Sequence, residues 1–260
     1  MKKYFVIGNP ISHSLSPELH NFWIKKNNIN ARYEKIKLEE SDLKNFIDKL
    51  RNDEIHGINV TVPFKNKVIK YLDKLSLEVE TTNSVNTIYK SGNDIIGHNT
   101  DVAGFELGLR HSKINVLHKS VFILGAGGVV SSIIFSLLSM GCKKIYLTNR
   151  TIEKAENIKN KFDEVEILKW GEIPNFDIVI NATSVGLKGD SLDLVFNVKD
   201  KIFYDVIYNP KETQFLKEAK KNGNKAENGK FMFIYQANQS FSIWNNVIPK
   251  IDDEVLKILG

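Results

Sequence analysis

Two residues that could exchange a proton with a substrate stand in the first hundred residues. Lys65 follows Asn59-Val60-Thr61-Val62, whose alternation places the polar side chains on one face of a predicted strand. We expect Pro63 to open a helix, which would put the Lys65 ammonium at a helix N-terminus. A cation is disfavoured there by about 0.3–1 kcal/mol, so its proton is lost more easily. Asp101 begins a later predicted helix, and if it meets Lys65 the pair could transfer a proton at a substrate oxygen.

Polar residues that could hold the substrate itself occur in the same region. Ser14 and Ser16 lie in a hydroxyl-rich segment after the first predicted strand, where hydroxyl and N–H groups at a helix start can bind a carboxylate. Asn86 could orient the substrate from a strand. Three of the candidate residues also have a purely structural interpretation: Ser16 as a helix N-cap, Asp101 as a cap, and Lys65 as a solvated surface lysine.

A glycine-rich turn, Gly125-Ala126-Gly127-Gly128, lies between a predicted strand and a predicted helix. In this context glycine permits a tight turn and a close approach of the backbone, and the free N–H groups and helix dipole favour a pyrophosphate. Val130 stands where the strict dinucleotide-binding pattern has a small residue, so a structural turn is the alternative. Further along, Asn181-Ala182-Thr183-Ser184-Val185-Gly186 follows a strand and should emerge at the carboxyl edge of the same sheet, where ligands bind.

The cofactor preference is indicated by Asn149-Arg150-Thr151, at the end of the next predicted strand. An NAD site usually places an acidic residue there, against the ribose 2′-hydroxyl. Arg150 can instead pair with a 2′-phosphate and stack on adenine, which favours NADP(H). The alternative is an exposed arginine with Thr151 as a helix N-cap.

The elements that must position these residues form two series. The first hundred residues are predicted to alternate strands and helices and to include a hairpin around Ser91-Gly92-Asn93. This pattern predicts an α/β unit with a mixed sheet. From about residue 118, strands separated by helices predict a parallel sheet with helices on both faces. Two closing helices, at about 232–248 and 252–259, complete the chain. A cleft between two domains is the default place for a ligand.

Composition excludes several other classes of protein. The chain of 260 residues has 42% hydrophobic and 26% charged residues, which is typical of a folded globular protein. Its net charge of +5 is spread along the chain and includes only four arginines, so we expect no nucleic-acid partner. Ser120–Cys142 carries no formal charge, but its glycine turn favours a strand and a buried helix over a membrane span. One cysteine and no signal peptide indicate the cytoplasm.

Taken together, these motifs resemble those of the shikimate dehydrogenase (shikimate/quinate dehydrogenase) family. The resemblance covers nearly the whole chain, because nine segments occur in the family's order. They are Gly8-Asn9-Pro10-Ile11-Ser12-His13-Ser14-Leu15-Ser16-Pro17 with His20-Asn21, Asn59-Val60-Thr61-Val62-Pro63-Phe64-Lys65, Asn83-Ser84-Val85-Asn86-Thr87, Gly97-His98-Asn99-Thr100-Asp101, Gly125-Ala126-Gly127-Gly128, Asn149-Arg150-Thr151, Asn181-Ala182-Thr183-Ser184-Val185-Gly186, Asp205-Val206-Ile207-Tyr208-Asn209-Pro210, and Gln236 with Phe241 and Trp244.

The resemblance implies a reversible, NADP-dependent reduction of 3-dehydroshikimate to shikimate, in the route to chorismate and the aromatic amino acids. It implies an N-terminal α/β substrate domain with a mixed sheet, residues 1–102 with 235–260, and a Rossmann-like, doubly wound NADP-binding domain, residues 103–234. Lys65 and Asp101 would be catalytic. The substrate-binding residues would be Ser14, Ser16 and Tyr208 for the carboxylate, and Asn59, Thr61, Asn86, Asp101 and Gln236 for the hydroxyls. The cofactor-binding residues would be Gly125, Ala126, Gly127, Gly128, Asn149, Arg150, Thr151, Lys154, Thr183, Val206 and Gly229.

Some alternatives remain open at this point. Val129-Val130-Ser131-Ser132 stands where family members often have alanines, which affects the packing beneath the pyrophosphate. Quinate-using relatives share the lysine and the aspartate, so a quinate/shikimate dehydrogenase that prefers NAD is one alternative. A non-catalytic sensor of pathway metabolites is another. We expect no metal, and we expect either a monomer or a homodimer.

Overall fold

The structure is a computed structural model that describes residues 1–259. The chain forms two compact units, a first unit of Met1–Gly104 with Ile234–Gly260 and a second unit of Phe105–Phe233. Each unit has one six-stranded sheet. In chain order the elements are β1 (Lys2–Gly8), α1 (Ser16–Lys26), β2 (Ala31–Lys37), α2 (Leu43–Arg51), β3 (Gly57–Val60), β4 (Lys74–Leu75), α3 (Leu77–Thr82), β5 (Thr87–Ser91), β6 (Asp94–His98), α4 (Thr100–His111), β7 (Ser120–Leu124), α5 (Val130–Ser139), β8 (Lys144–Thr148), α6 (Ile152–Lys159), β9 (Val165–Leu168), β10 (Ile178–Asn181), β11 (Ile202–Asp205), α7 (Gln214–Lys221), β12 (Lys225–Asn228), α8 (Lys230–Asn245) and α9 (Asp253–Ile258).

The sheet of the first unit has the strand order β2-β1-β3-β5-β6-β4 and is mixed, as predicted. β1 pairs in parallel with β2 and β3, whereas β5 pairs antiparallel with both β3 and β6. The predicted hairpin is confirmed: Ser91 lies opposite Asp94, and Gly92 takes the positive φ of 61° that a two-residue turn requires. Apolar residues of β1, β3 and α2, including Ile7, Ile58 and Leu43, form the core.

The sheet of the second unit is entirely parallel, with the order β12-β11-β10-β7-β8-β9. Residues 121–124 of β7 are fully buried, as expected of a central strand covered on both faces. β7 and β10 are neighbours, and from them the chain winds outward in opposite directions. The predicted doubly wound α/β class is therefore confirmed, and ligands bind such sheets outside the carboxyl ends of the strands at this switch point.

The segment 120–142 forms β7, the glycine turn and α5. Among residues 1–259, none of the helices combines the length and the apolar character needed to span a bilayer.

One predicted helix is wrong: no α-helix begins at Pro63. The chain instead makes successive turns, in which the N–H of Phe64 bonds the carbonyl of Thr61 and the N–H of Lys67 bonds that of Phe64. A helix is prevented because the carbonyl of Lys65 accepts a hydrogen bond from the N–H of Val85, at 2.8 Å, instead of one from within its own segment. Between β3 and β4 the chain has a single 3₁₀ turn, at Ile69–Tyr71.

The predicted N-cap role of Ser16 is also wrong, because Ser16 is already the first residue of α1. Leu15 holds the cap position without a side-chain bond, and the hydroxyl oxygen of Ser14 accepts the backbone N–H of Ser16 at 3.3 Å. Thr151 does occupy the cap position of α6, but its side chain makes no capping bond.

Candidate active site

Lys65 and Asp101 are in direct contact within the first unit. The Lys65 Nζ atom lies 2.5 Å from Asp101 Oδ2, and the two side chains are only 15% and 9% exposed. Lys65 lies in the turn segment after β3, and Asp101 lies in the first turn of α4. The helix-dipole argument for Lys65 therefore fails, but the proton-exchange geometry that the two residues need is present.

Asn86 holds the carboxylate of Asp101 in place. Its amide nitrogen donates to Asp101 Oδ1 at 2.9 Å and lies 3.4 Å from Gln236 Oε1. Its amide oxygen accepts the backbone N–H of Thr100 at 2.7 Å, which fixes Asn86 to the start of α4. Asn86 and Asp101 are both buried. Both carboxylate oxygens thus have a donor, and the Lys65–Asp101 pair has one orientation.

A buried network of hydroxyl groups lies behind Asn86. The Ser240 hydroxyl of α8 is 2.8 Å from that of Thr87 and 3.3 Å from that of Thr100. It also accepts a hydrogen bond from Asn59 Nδ2 at 3.0 Å. All three hydroxyl-bearing residues are fully buried. Sequence reasoning did not find Ser240 or Thr87 as supporting residues, since only tertiary packing brings β5, α4 and α8 together.

Asn59 lies within this packing, and its amide group bonds protein atoms on both sides. Its nitrogen also donates to the carbonyl of Asn86 at 2.9 Å, and its oxygen accepts the hydroxyl of Tyr33 at 2.7 Å. Tyr33 stacks on the imidazole of His20, with ring centroids 4.2 Å apart. Burial lowers the pKa of His20 to about 3, so this ring is neutral. The amide of Asn59 therefore supports the site from behind, and its predicted contact with a substrate hydroxyl stays a prediction.

Ser14, Ser16 and Thr61 lie where β1 and β3 end at the same edge of the sheet. The N–H of Thr61 donates to the carbonyl of Ile7, and a Cβ atom on Gly8 would stand 2.6 Å from the Thr61 methyl group. Parallel strands bring the loops after them together, so these three residues and Lys65 all follow strand ends at one edge of the sheet, with Ser16 buried there.

In the second unit, the glycine turn joins β7 to α5 as predicted. Gly125 has a φ of 103°, and a Cβ atom there would lie 3.0 Å from the carbonyl oxygen of Ala182. A Cβ atom on Gly128 would meet nothing within 4 Å, and one on Gly127 only the Ala182 oxygen at 3.7 Å. The space over Gly127 and Gly128 is therefore open to a ligand at the N-terminus of α5, as a pyrophosphate needs.

Asn149 connects this turn to the segment that follows β8. Its amide oxygen accepts the N–H of Ala126 at 3.1 Å, and its amide nitrogen donates to the carbonyl of Thr151 at 2.7 Å. The side chain of Asn149 thus braces the two segments against each other, while its predicted contact with the adenosine phosphate stays a prediction.

Arg150, Thr151 and Lys154 are exposed at the start of α6. The guanidinium carbon of Arg150 lies 6.0 Å from the centre of the Trp170 ring, a cation–π distance. Trp170 follows β9, a strand the sequence did not predict. These residues offer positive charge and a hydroxyl for a phosphate group, and the residues of β8 beside them include no carboxylate.

Three residues that were predicted to lie near the nicotinamide follow strands β10, β11 and β12 of this sheet. Thr183 follows β10, Val206 follows β11 and Gly229 follows β12. A Cβ atom on Gly229 would stand 2.1 Å from the carbonyl oxygen of Val206, so only glycine fits. Tyr208 lies two residues after Val206, and its ring stacks on that of Phe233 with the ring centroids 4.3 Å apart. Among residues 1–259, no group of three or more metal-ligating side chains is placed to hold a metal ion.

Comparison with known proteins identifies the family. The model of the shikimate dehydrogenase substrate binding domain matches residues 6–88, and that of shikimate / quinate 5-dehydrogenase matches residues 108–188. The NADP(+) shikimate dehydrogenase of Pelagibacter ubique is 56% identical and aligns over 100% of this chain and 99% of its own length.

Solved structures agree with this. A shikimate 5-dehydrogenase from Listeria monocytogenes, in complex with shikimate and NAD, has a TM-score of 0.92 at 30% identity, covering 100% of this chain and 96% of that one. The Thermus thermophilus enzyme, in complex with NADP(H) and shikimate, has a TM-score of 0.90 at 28% identity, covering 100% and 97%. This chain belongs to the shikimate dehydrogenase family.

Proposed function

We propose that this protein catalyses the reversible, NADPH-dependent reduction of 3-dehydroshikimate to shikimate, in the route to chorismate and the aromatic amino acids. The observation that carries the proposal is the partly buried contact of Lys65 with Asp101, 2.5 Å long and oriented by Asn86. A ketone becomes an alcohol when its carbon receives a hydride and its oxygen a proton. NADPH supplies the hydride when bound, and the chain must supply the proton.

Lys65 and Asp101 divide the proton chemistry. The Lys65 ammonium donates a proton to the carbonyl oxygen of the substrate as the hydride reaches the adjacent carbon, and it removes the proton in the reverse direction. Asp101 holds the Lys65 side chain by charge and geometry. Asn86 in turn fixes Asp101, so the proton donor is preorganised before the substrate binds.

The remaining site residues bind and orient the two ligands. Ser14, Ser16 and Tyr208 bind the substrate carboxylate, and Asn86, Asp101, Gln236 and Thr61 bind its hydroxyl groups, with Asn59 supporting them from behind. The first unit is the substrate-binding domain and the second unit the NADP-binding domain. The glycine turn binds the pyrophosphate, and Asn149, Arg150, Thr151 and Lys154 lie at the adenosine phosphate. Thr183, Val206 and Gly229 flank the nicotinamide and its ribose.

The experiment that tests this proposal is a reductase assay on the full chain. NADPH absorbance should fall when 3-dehydroshikimate is added, and shikimate with NADP⁺ should reverse the change. NADH and quinate, tested in parallel, separate this activity from that of a quinate/shikimate dehydrogenase that prefers NAD. Binding of shikimate without any turnover would point to a metabolite sensor and contradict the proposal.

Removing Arg150 should weaken the preference for NADPH. The Arg150→Ala variant loses the guanidinium that pairs with the 2′-phosphate, so we expect KM for NADPH to rise by about 10–100-fold, as for a lost charge-assisted contact. Activity with NADH should change little. Arg110→Ala is the matched control, since Arg110 is an exposed arginine of the same unit, paired with Glu106. Equal effects on NADPH and NADH would contradict the assigned role.

We further propose that the enzyme acts in the cytoplasm, as a monomer or a homodimer. Its single cysteine, Cys142, suits a reducing compartment. Burial raises the pKa of the Cys142 thiol to about 11, so it is unreactive at neutral pH.

A further inference from the structure

Asp205 is a buried carboxylate that the proposed chemistry does not use. It is the last residue of β11, is fully buried, and lies beside Asn181, the last residue of β10, in the parallel register. Its Oδ1 atom accepts the N–H of Ile207 at 3.0 Å and the amide of Asn181 at 3.2 Å. Its Oδ2 atom accepts the hydroxyl of Thr213 at 2.6 Å. These bonds connect three segments at the carboxyl edge of the sheet.

Asn181, which is held by Asp205, in turn forms hydrogen bonds with the loop after β10. Its amide oxygen accepts both the N–H and the hydroxyl of Thr183, at 3.1 and 2.7 Å, and its nitrogen also donates to the carbonyl of Val185 at 3.1 Å. The Thr183 hydroxyl oxygen accepts the N–H of Val185 at 3.0 Å. The orientation of Thr183 therefore depends on Asn181, and that of Asn181 depends on Asp205.

Thr213 connects Asp205 to the loop after β10. It occupies the N-cap position of α7, where a threonine usually bonds the helix backbone, yet its hydroxyl makes no capping bond and donates to Asp205 instead. Its methyl group also packs against the loop after β10, as shown by Gly186 in that loop: a Cβ atom there would stand 2.9 Å from Thr213 Cγ2. Thr213 thus serves the carboxylate and the loop rather than its own helix.

The backbone of Val206 is fixed by the same arrangement. Its N–H donates to the carbonyl of Asn181 at 3.0 Å, and the next residue, Ile207, is held by Asp205. On the other side, Gly229 approaches the Val206 carbonyl too closely to admit a side chain. Asp205 is therefore at the centre of the three strand ends that carry Thr183, Val206 and Gly229.

The negative charge of Asp205 does not stabilise the folded protein. Burial raises its pKa to about 6, against the opposing effect of its three hydrogen bonds. Since an ordinary aspartate ionises near pH 4, the folded state loses stability as the pH rises from about 4 through about 6, and this penalty is then constant at higher pH. An uncharged side chain of the same shape would remove this penalty.

We propose that Asp205 is a positioning residue for the nicotinamide end of the cofactor, acting through Asn181 and Thr213 on Thr183 and Val206. The inference rests on the proposed function, which puts Thr183, Val206 and Gly229 beside the nicotinamide. A nicotinamide held less firmly presents its hydride at the wrong distance or angle, and a misplacement of about 1 Å can lower the rate of transfer a hundredfold.

Two variants test this role. Asp205→Asn keeps the shape and one acceptor oxygen but removes the charge, and Thr213→Val keeps the shape but removes the hydroxyl. In both we expect kcat to fall by about 10–100-fold and the isotope effect with NADPH deuterated at the transferred position to increase. KM for 3-dehydroshikimate should stay within about twofold. Thr213→Ser, which keeps the hydroxyl, should restore most of the activity.

Binding of a cofactor fragment separates positioning from general damage. Adenosine 2′,5′-bisphosphate lacks the nicotinamide, so calorimetry should find its Kd unchanged in both variants while Kd for NADPH increases several-fold. The thermal midpoint of Asp205→Asn at pH 8 should equal or exceed that of the wild type.

Two outcomes would overturn the role of Asp205. In the first, both variants fold and show wild-type kinetics and a wild-type isotope effect. In the second, the variants bind the fragment more weakly, have a higher KM for 3-dehydroshikimate and are thermally less stable, all to a similar extent. If the wild-type chain does not reduce 3-dehydroshikimate at all, the proposed function fails. The comparison of NADPH with the fragment still decides the role of Asp205 in that case.

Discussion

The Lys65→Ala variant should fold normally and lose most of its activity, with kcat for 3-dehydroshikimate reduction about 10²–10⁴-fold lower. The ammonium of Lys65 is the cation within 2.5 Å of Asp101, and removing it leaves the developing alkoxide without its proton donor. Because Asn86 still donates to Asp101, the carboxylate keeps one partner and the fold should survive. Lys65→Met, which retains the apolar part of the side chain, should show the same loss.

The measurements are kcat and KM with saturating NADPH, together with a thermal unfolding curve. Lys67→Ala is the matched control, because Lys67 lies two residues away and pairs with Glu40 at the surface. That control should keep full activity. Near-normal kcat in a folded Lys65→Ala variant would show that another group transfers the proton.

The Asp101→Asn variant should lower kcat by about 10²–10³-fold, with little change in the affinity for NADPH. Asparagine has nearly the same shape, but its NH₂ group must face either the Lys65 ammonium or the amide of Asn86. Both are donors, so one hydrogen bond becomes a repulsive contact. Lys65 loses both its counter-charge and its fixed orientation.

Steady-state kinetics and calorimetric titration with NADPH check this expectation. Asp94→Asn, at a surface ion pair with Lys74, provides the control for loss of a carboxylate in the same unit. A variant that kept its kcat but lost affinity for 3-dehydroshikimate would make Asp101 a binding residue only and would remove it from the proton-transfer pair.

Local sequence patterns predicted the elements whose residues form the core. The apolar strand β7 and the glycine turn after it are recognisable because burial on both faces and a tight turn each restrict the residue types. The meeting of Lys65 with Asp101 was a hypothesis that spacing could not decide, and the hydrogen bonds of Asn86 explain why they meet.

The failures of prediction arise where a distant segment decides the local structure. Pro63 is a valid helix-start signal, but the bond from Val85 to the Lys65 carbonyl overrides it. The edge strands β9 and β12 have only four residues each, and β12 carries mostly charged or polar side chains, so their extended form depends on pairing with β8 and β11. Nothing in the local sequence distinguishes Ser240 from any other serine in a helix, because only the packing of β5 and α4 against α8 gives its hydroxyl a role.

The contact between Trp170 and Arg150 would let intrinsic fluorescence report on the proposed cofactor site. The protein has three tryptophans, and Trp23 and Trp244 are buried in the first unit. With those two changed to phenylalanine, the tryptophan fluorescence would come from Trp170 alone, whose ring centre lies 6.0 Å from the Arg150 guanidinium carbon. Quenching by an adenosine phosphate, and energy transfer to a reduced nicotinamide, would then follow the arrival of each end of the dinucleotide in real time.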